Sequence, residues 1–195
     1  QHLFFFQPKA LAAGHMLSFP VRLKFSTAKI PFDAKTVLDV AKFEPDTGMA
    51  QGVVLFFHGN RFNIEHYSVY ASYFTRNRFA CWMVDYPGYG RSTGEMSIEA
   101  LEQTGTQLYK MATAIYSPDE VVVYGKSLGT GVASYVAAKH YTRSLILETP
   151  YYSLSTLAGN YLYYLPVNLL ARYDIASYAQ LRRCTEPVTI LHGTR

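Results

Sequence analysis

The sequence predicts an α/β fold: a mostly parallel, doubly wound sheet led by an antiparallel hairpin. Three observations carry that prediction. Short apolar runs recur at residues 53–57, 80–86, 121–124, 144–148 and 188–191, the pattern of strands buried on both faces. Amphipathic helical spacing fills the intervals between them. Each run ends in a loop carrying polar residues, which is where open α/β sheets place their ligands.

Taken in order, the chain begins with an aromatic cluster, Phe4, Phe5 and Phe6, too short to span a bilayer. It has two readings. Either it flanks an apolar anchor preceding Gln1, giving membrane association, or the three rings pack on the domain. Residues 21–26 and 36–43 alternate weakly and read as the two strands of an edge hairpin. After the 53–57 strand, Tyr67, Tyr70, Ala71 and Phe74 follow i, i+3, i+4, i+7 spacing and predict one helix. Ile98, Leu101, Leu108, Met111 and Ile115 share the face of another, opened by Ser97 as a plain N-cap. The segment 149–183, with seven tyrosines between 151 and 181, reads as a small lid or a connector.

The bulk composition narrows the function classes. With 195 residues, 49% hydrophobic and 15% aromatic, the chain builds one domain with a two-sided core, and disorder is excluded. The net charge of +4 is scattered, so it reads as a solvated basic surface and not as a nucleic-acid footprint. Two cysteines, Cys81 and Cys184, make neither a disulfide scaffold nor a metal-ligand spacing.

The chemistry concentrates at Gly125-Lys126-Ser127-Leu128-Gly129, where the 121–124 strand runs into a helical pattern. A serine hydroxyl is a poor nucleophile until a strand-turn-helix corner presents it to a base. Glycines at 125 and 129 fit because side chains there would collide with the neighbouring strand and helix. The Leu128 amide, opening the helix, points toward the serine oxygen and supplies half an oxyanion hole. Two look-alikes fail. A P-loop needs glycine where Glu120 stands, and in Gly88-Tyr89-Gly90 with Gly94 the third glycine comes one place too late for a dinucleotide fingerprint.

Five blocks then align with one family: His58-Gly59-Asn60, the run Asp85-Tyr86-Pro87-Gly88-Tyr89-Gly90-Arg91-Ser92, the elbow at Ser127, Leu147-Glu148-Thr149-Pro150, and Leu191-His192-Gly193-Thr194. The chain resembles the α/β-hydrolase superfamily, in the branch of small, often N-terminally anchored serine hydrolases that includes protein depalmitoylases. The resemblance implies an α/β-hydrolase fold over residues 1–195 with the last strand and helix missing. It implies Ser127 as nucleophile, the Asn60 and Leu128 amides as oxyanion hole, and no cofactor or metal. Many relatives carry glycine near Phe62 or Asn63; this chain does not, which sets its first oxyanion loop apart. In the family the triad aspartate follows the His-Gly-Thr segment and the histidine comes later still. Both are expected beyond residue 195, so the residues given are expected to turn over poorly.

Within the chain, Glu148 is the alternative candidate for the acid, although a carboxylate there also serves as a local hydrogen-bond acceptor. Asp85 and Arg91 are expected to pair across the glycine-rich loop. His58, His66, His140 and His192 each have a structural or surface reading, and none is a convincing base. The leading function is a serine hydrolase cleaving an ester, thioester or amide of a small-molecule or acylated substrate through an acyl-enzyme. Acyl transfer to another acceptor would use the same residues. The alternative from another class is a non-catalytic binding or scaffold domain. The expected location is cytoplasmic or membrane-associated, with no nucleic-acid partner.

Overall fold

The computed structural model of the chain describes residues 6–12, 14–20, 22–153, 175 and 177–193. Seven strands are β1 (Lys24–Pro31), β2 (Val37–Glu44), β3 (Val53–Phe57), β4 (Ala80–Val84), β5 (Val121–Lys126), β6 (Ser144–Glu148) and β7 (Val188–Leu191). They form one sheet in the order β1-β2-β4-β3-β5-β6-β7. β1 pairs antiparallel with β2 and β2 antiparallel with β4; every later pairing is parallel.

The leading hairpin is present, but its first strand starts at Lys24 instead of residue 21 and runs to Pro31. The turn fixes this. The Asp33 carboxylate accepts the Lys35 and Thr36 amides at 2.7 and 2.8 Å, closing an Asx turn that sets Pro31 opposite Val37 and Lys24 opposite Glu44. Most of β1 faces solvent, so no alternation marks its bounds.

Both faces of the central strands are covered. Val53, Leu55, Phe57, Trp82, Val84, Val121 and Val123 face a core closed by α3 (Ile98–Thr113) and α4 (Leu128–Lys139). Val54, Phe56, Cys81, Met83, Val122 and Tyr124 face the other, closed by α1 (Ile64–Tyr67) and α2 (Ala71–Thr75). The single helix expected around Tyr67 and Phe74 is therefore broken, with a 3-10 turn at Ser68–Tyr70 between its halves. The Ser68 hydroxyl donates to the Glu65 carbonyl at 2.7 Å and competes with the helical ladder there. Ser97 caps α3 as expected, accepting the Ala100 amide at 3.0 Å. Ile115 leaves the predicted face: α3 stops at Thr113 and Ile115 is 66% exposed.

A short α5 (Ser177–Leu181) precedes β7. Most of the lid or connector expected at 149–183 lies outside the described residues. Its two ends do not: Tyr151 and Ile175 are buried and close over Gly131 of α4. Of the N-terminal aromatic cluster, Phe6 is buried in the main core and Phe4 and Phe5 lie outside the described residues. No described helix is long and apolar enough to cross a membrane. Both cysteines are free, and burial pushes the Cys81 thiol well up and, with Glu186, the Cys184 thiol up to about 11.

Candidate active site

β3 lies between β4 and β5, so successive crossovers leave it in opposite directions and open a crevice at the carboxyl ends of β3 and β5. The register pairs Phe57 with Gly125, which brings the turns after both strands to the same height. His58-Gly59-Asn60 and Ser127 meet there.

Ser127 stands between β5 and α4 at φ +49° and ψ −115°, half-buried, in a conformation L side chains rarely adopt. Its amide donates to the Glu148 carbonyl at 2.9 Å, and its own carbonyl accepts from the Thr130 amide at 2.9 Å and the Thr130 hydroxyl at 2.6 Å. The corner is thereby held from both sides. A Cβ at Gly129 would overlap the Phe57 carbonyl of β3, and one at Gly125 would overlap the Gly129 carbonyl and sit 2.7 Å from Ala133. The collisions expected from the sequence are the ones found. Leu128 opens the twelve-residue α4, whose N-terminal dipole favours negative charge beside the serine.

The facing turn is gripped by tyrosines. Tyr86 donates to the His58 carbonyl at 2.9 Å, and Tyr89 reaches both the Asn60 carbonyl at 3.0 Å and its Oδ1 at 2.9 Å. The N-terminal segment adds a strap: the Gln7 amide donates to Asn60 Oδ1 at 3.1 Å, and Arg61 donates to the Gln7 side chain at 2.9 Å. Lys9 and Leu11 of the same segment exchange backbone hydrogen bonds with Gly90. Phe62 takes φ +67°, the region that favours glycine, and stacks on His66 at 4.2 Å. The glycine missing from the sequence is thus a strained phenylalanine in the structure.

Glu148 ends β6 in a cluster of its own. Tyr124 donates to its Oε2 at 2.6 Å, Tyr70 to its Oε1 at 3.2 Å, and Lys126 forms an ion pair with Oε1. Burial alone would raise the Glu148 carboxyl, but the Lys126 and Tyr124 hydrogen bonds outweigh it and hold the group below the ordinary glutamate value. Lys126 is likewise raised: burial opposes this, and the Glu148 and Tyr70 contacts prevail. With both oxygens engaged, Glu148 behaves as the local acceptor.

The expected Asp85–Arg91 pair does not form. Arg91 grips Asp39 of β2 with two bonds of 2.7 and 3.0 Å, and Lys29 joins the same carboxylate at 2.9 Å. Asp85 is fully buried, accepts the Ile64 amide at 2.9 Å, and lies 3.4 Å from His58 Nε2. The partner was illegible because Asp39 belongs to a strand more than fifty residues away that reads as plain hairpin. Among the described histidines, His140 stacks on Tyr109, His15 pairs with Glu65, and none is hydrogen-bonded to the Ser127 hydroxyl. No three described His, Cys, Asp or Glu side chains converge as a metal site.

Sequence reasoning missed Thr130, Tyr67 and Gln7. Thr130 follows the second elbow glycine directly and was findable as a hydroxyl in the first helical turn; the other two carry no local signal.

Comparison with known proteins agrees with this geometry. The family model for serine aminopeptidase, S33, matches residues 48–173, more than half the chain. Protein bem46 of Schizosaccharomyces pombe is 30% identical over 161 residues, covering 77% of this chain and 54% of that protein. Alpha/beta hydrolase domain-containing protein 17C of Xenopus tropicalis is 28% identical over 145 residues, covering 72% and 45%. The chain spans about half the length of these curated relatives. An alpha-beta hydrolase from Vibrio vulnificus superposes with a TM-score of 0.73 at 18% identity, covering 86% of this chain and 63% of that one, a likeness of fold. By its sheet order, its elbow and its matched family model, the chain belongs to the serine aminopeptidase S33 family of α/β hydrolases.

Proposed function

We propose that the protein is a serine hydrolase that cleaves an ester, thioester or amide through an acyl-enzyme on Ser127. The observation that carries the reading is the strained serine at the top of β5, half-buried, with α4 starting at the next residue. Strain of this kind persists only where the surroundings over-determine it, and it supports a serine held out for chemistry at a strand-to-helix corner.

In the proposed reaction Ser127 Oγ attacks the carbonyl carbon and its proton passes to a base supplied from outside the described residues. The negative oxygen accepts hydrogen bonds from the Asn60 and Leu128 amides. Collapse expels the alcohol, thiol or amine with that proton, and water repeats the sequence to release the acid. No step calls on a metal or cofactor. Glu148, saturated by Lys126, Tyr70 and Tyr124, is given no part in the proton relay. The described residues without the base are expected to show only the residual rate of the oxyanion hole and binding.

A fluorophosphonate probe offered to the full-length protein is expected to label Ser127, and Ser127→Ala to abolish labelling and ester hydrolysis together. A folded protein that stays unlabelled would overturn the reading in favour of a binding domain.

A further inference from the structure

We propose that the Tyr67 hydroxyl is a third donor to the oxyanion, aimed at the same oxygen as the Asn60 and Leu128 amides. This rests on Ser127 being the nucleophile. Position comes first. A Cβ built on Gly59 would lie 2.7 Å from the Tyr67 hydroxyl and 3.6 Å from Ser127 Cβ, so phenol and nucleophile flank the same small space above Gly59. A side chain at position 59 would crowd the Tyr67 hydroxyl, so glycine keeps the phenol's approach to the serine clear.

The hydrogen-bond inventory comes second. A phenol offers one proton and accepts at its oxygen. Tyr70, Tyr86, Tyr89 and Tyr124 each give their proton to a protein oxygen. Tyr67 differs: among the described residues no hydrogen bond takes its proton. The side chain is also fixed, being buried, parallel to the His58 ring at 5.4 Å and packed against Phe56 at 6.1 Å. A donor held in place before the reaction costs no reorganisation when charge develops. Burial keeps the phenol above its ordinary value, so it remains protonated across the neutral range.

The step balances without Tyr67 exchanging a proton. The bond from Ser127 Oγ to carbon forms, the carbonyl π pair moves onto oxygen, the Ser127 proton goes to the base, and Tyr67 only donates a hydrogen bond to the new charge.

The test uses the full-length protein and a p-nitrophenyl ester, with an alkyl boronic acid as the tetrahedral analogue. Tyr67→Phe is expected to lower kcat by about 10²-fold, the scale of one oxyanion donor, with KM nearly unchanged. Boronate affinity should fall alongside kcat, with the unfolding midpoint little moved. If Ser127 is labelled by the fluorophosphonate while Tyr67→Phe keeps its kcat and boronate affinity, the Tyr67 assignment is overturned alone. If wild type is unlabelled, or Ser127→Ala still hydrolyses ester, both readings fall. Should the phenylalanine variant fail to fold, 3-fluorotyrosine at position 67 keeps the contacts and strengthens the donor: tighter boronate binding supports the proposal, and unmoved binding overturns it.

Discussion

The two turns that meet at the crevice are built on opposite plans. The elbow is held by backbone atoms: the glycines at 125 and 129 clear the space against main chain, the Glu148 carbonyl takes the Ser127 amide, and Thr130 ties the Ser127 carbonyl. The oxyanion turn is held from far away in sequence, by Tyr86 at 28 residues, Tyr89 at 29 and Gln7 at 53. The elbow is thus a steric object with little freedom to be anything else. The oxyanion turn is an assembled object, and its shape depends on two other parts of the chain, the loop after β4 and the N-terminal segment, staying where they are.

The sharpest way to break this comparison is Gly129→Ala. Its Cβ meets the Phe57 backbone, which cannot swing aside, so a loss of about 3 kcal/mol or more is expected in urea unfolding. A loss under about 1 kcal/mol would show that the elbow is not sterically locked.

Next comes the buried support of the facing turn. Asp85→Ala strands the Ile64 amide and is expected to cost about 2–3 kcal/mol, whereas Asp85→Asn keeps an acceptor and costs less. Equal losses in the two variants would mean that shape, and not hydrogen bonding, matters there.

A smaller, pH-dependent effect is expected at Lys126→Met, about 1–2 kcal/mol at neutral pH. Glu148 is lowered in the fold, so its share of stability is present above the ordinary glutamate value and disappears as pH falls through the lower folded one. Lys126 is raised, so its share is present below the ordinary lysine value and disappears as pH rises through the higher folded one. The difference between wild type and variant, followed by denaturation from acid to alkali, should be widest in the middle and shrink at both ends; a flat difference refutes the pair.

The smallest test sharpens the comparison at Phe62. Because φ is +67°, Phe62→Gly relieves strain that Phe62→Ala keeps, while both lose the His66 stack, so glycine should be the more stable variant by about 1 kcal/mol. Thermal midpoints in the reverse order would remove the strain argument.

The same contrast explains what could be read from the sequence. The five parallel strands were legible as uninterrupted apolar runs, which burial on both faces explains for β3 and β4 and for most of β5, and β3, β6 and β7 have the expected bounds although β7 is exposed. Ser127 and Leu128 were legible from the elbow pattern and Asn60 only through the resemblance; the register of β3 and β5 brings the turns that carry them to the same height. β1 was misplaced because a solvent-facing strand carries no alternation, and the first helix was read as unbroken because a serine hydroxyl bonding backward leaves no mark on apolar spacing. The partner of Arg91 and the tyrosines around His58-Gly59-Asn60 were illegible for one reason: each is a long-range choice among several chemically equal candidates.

The strap at residues 6–11 carries one more consequence. It touches Asn60 through Gln7 and the glycine-rich loop through Lys9 and Leu11, so anything fastened ahead of it has a mechanical lever on the crevice. A bulky tag placed ahead of it is therefore expected to disturb the Asn60 turn more than one placed elsewhere.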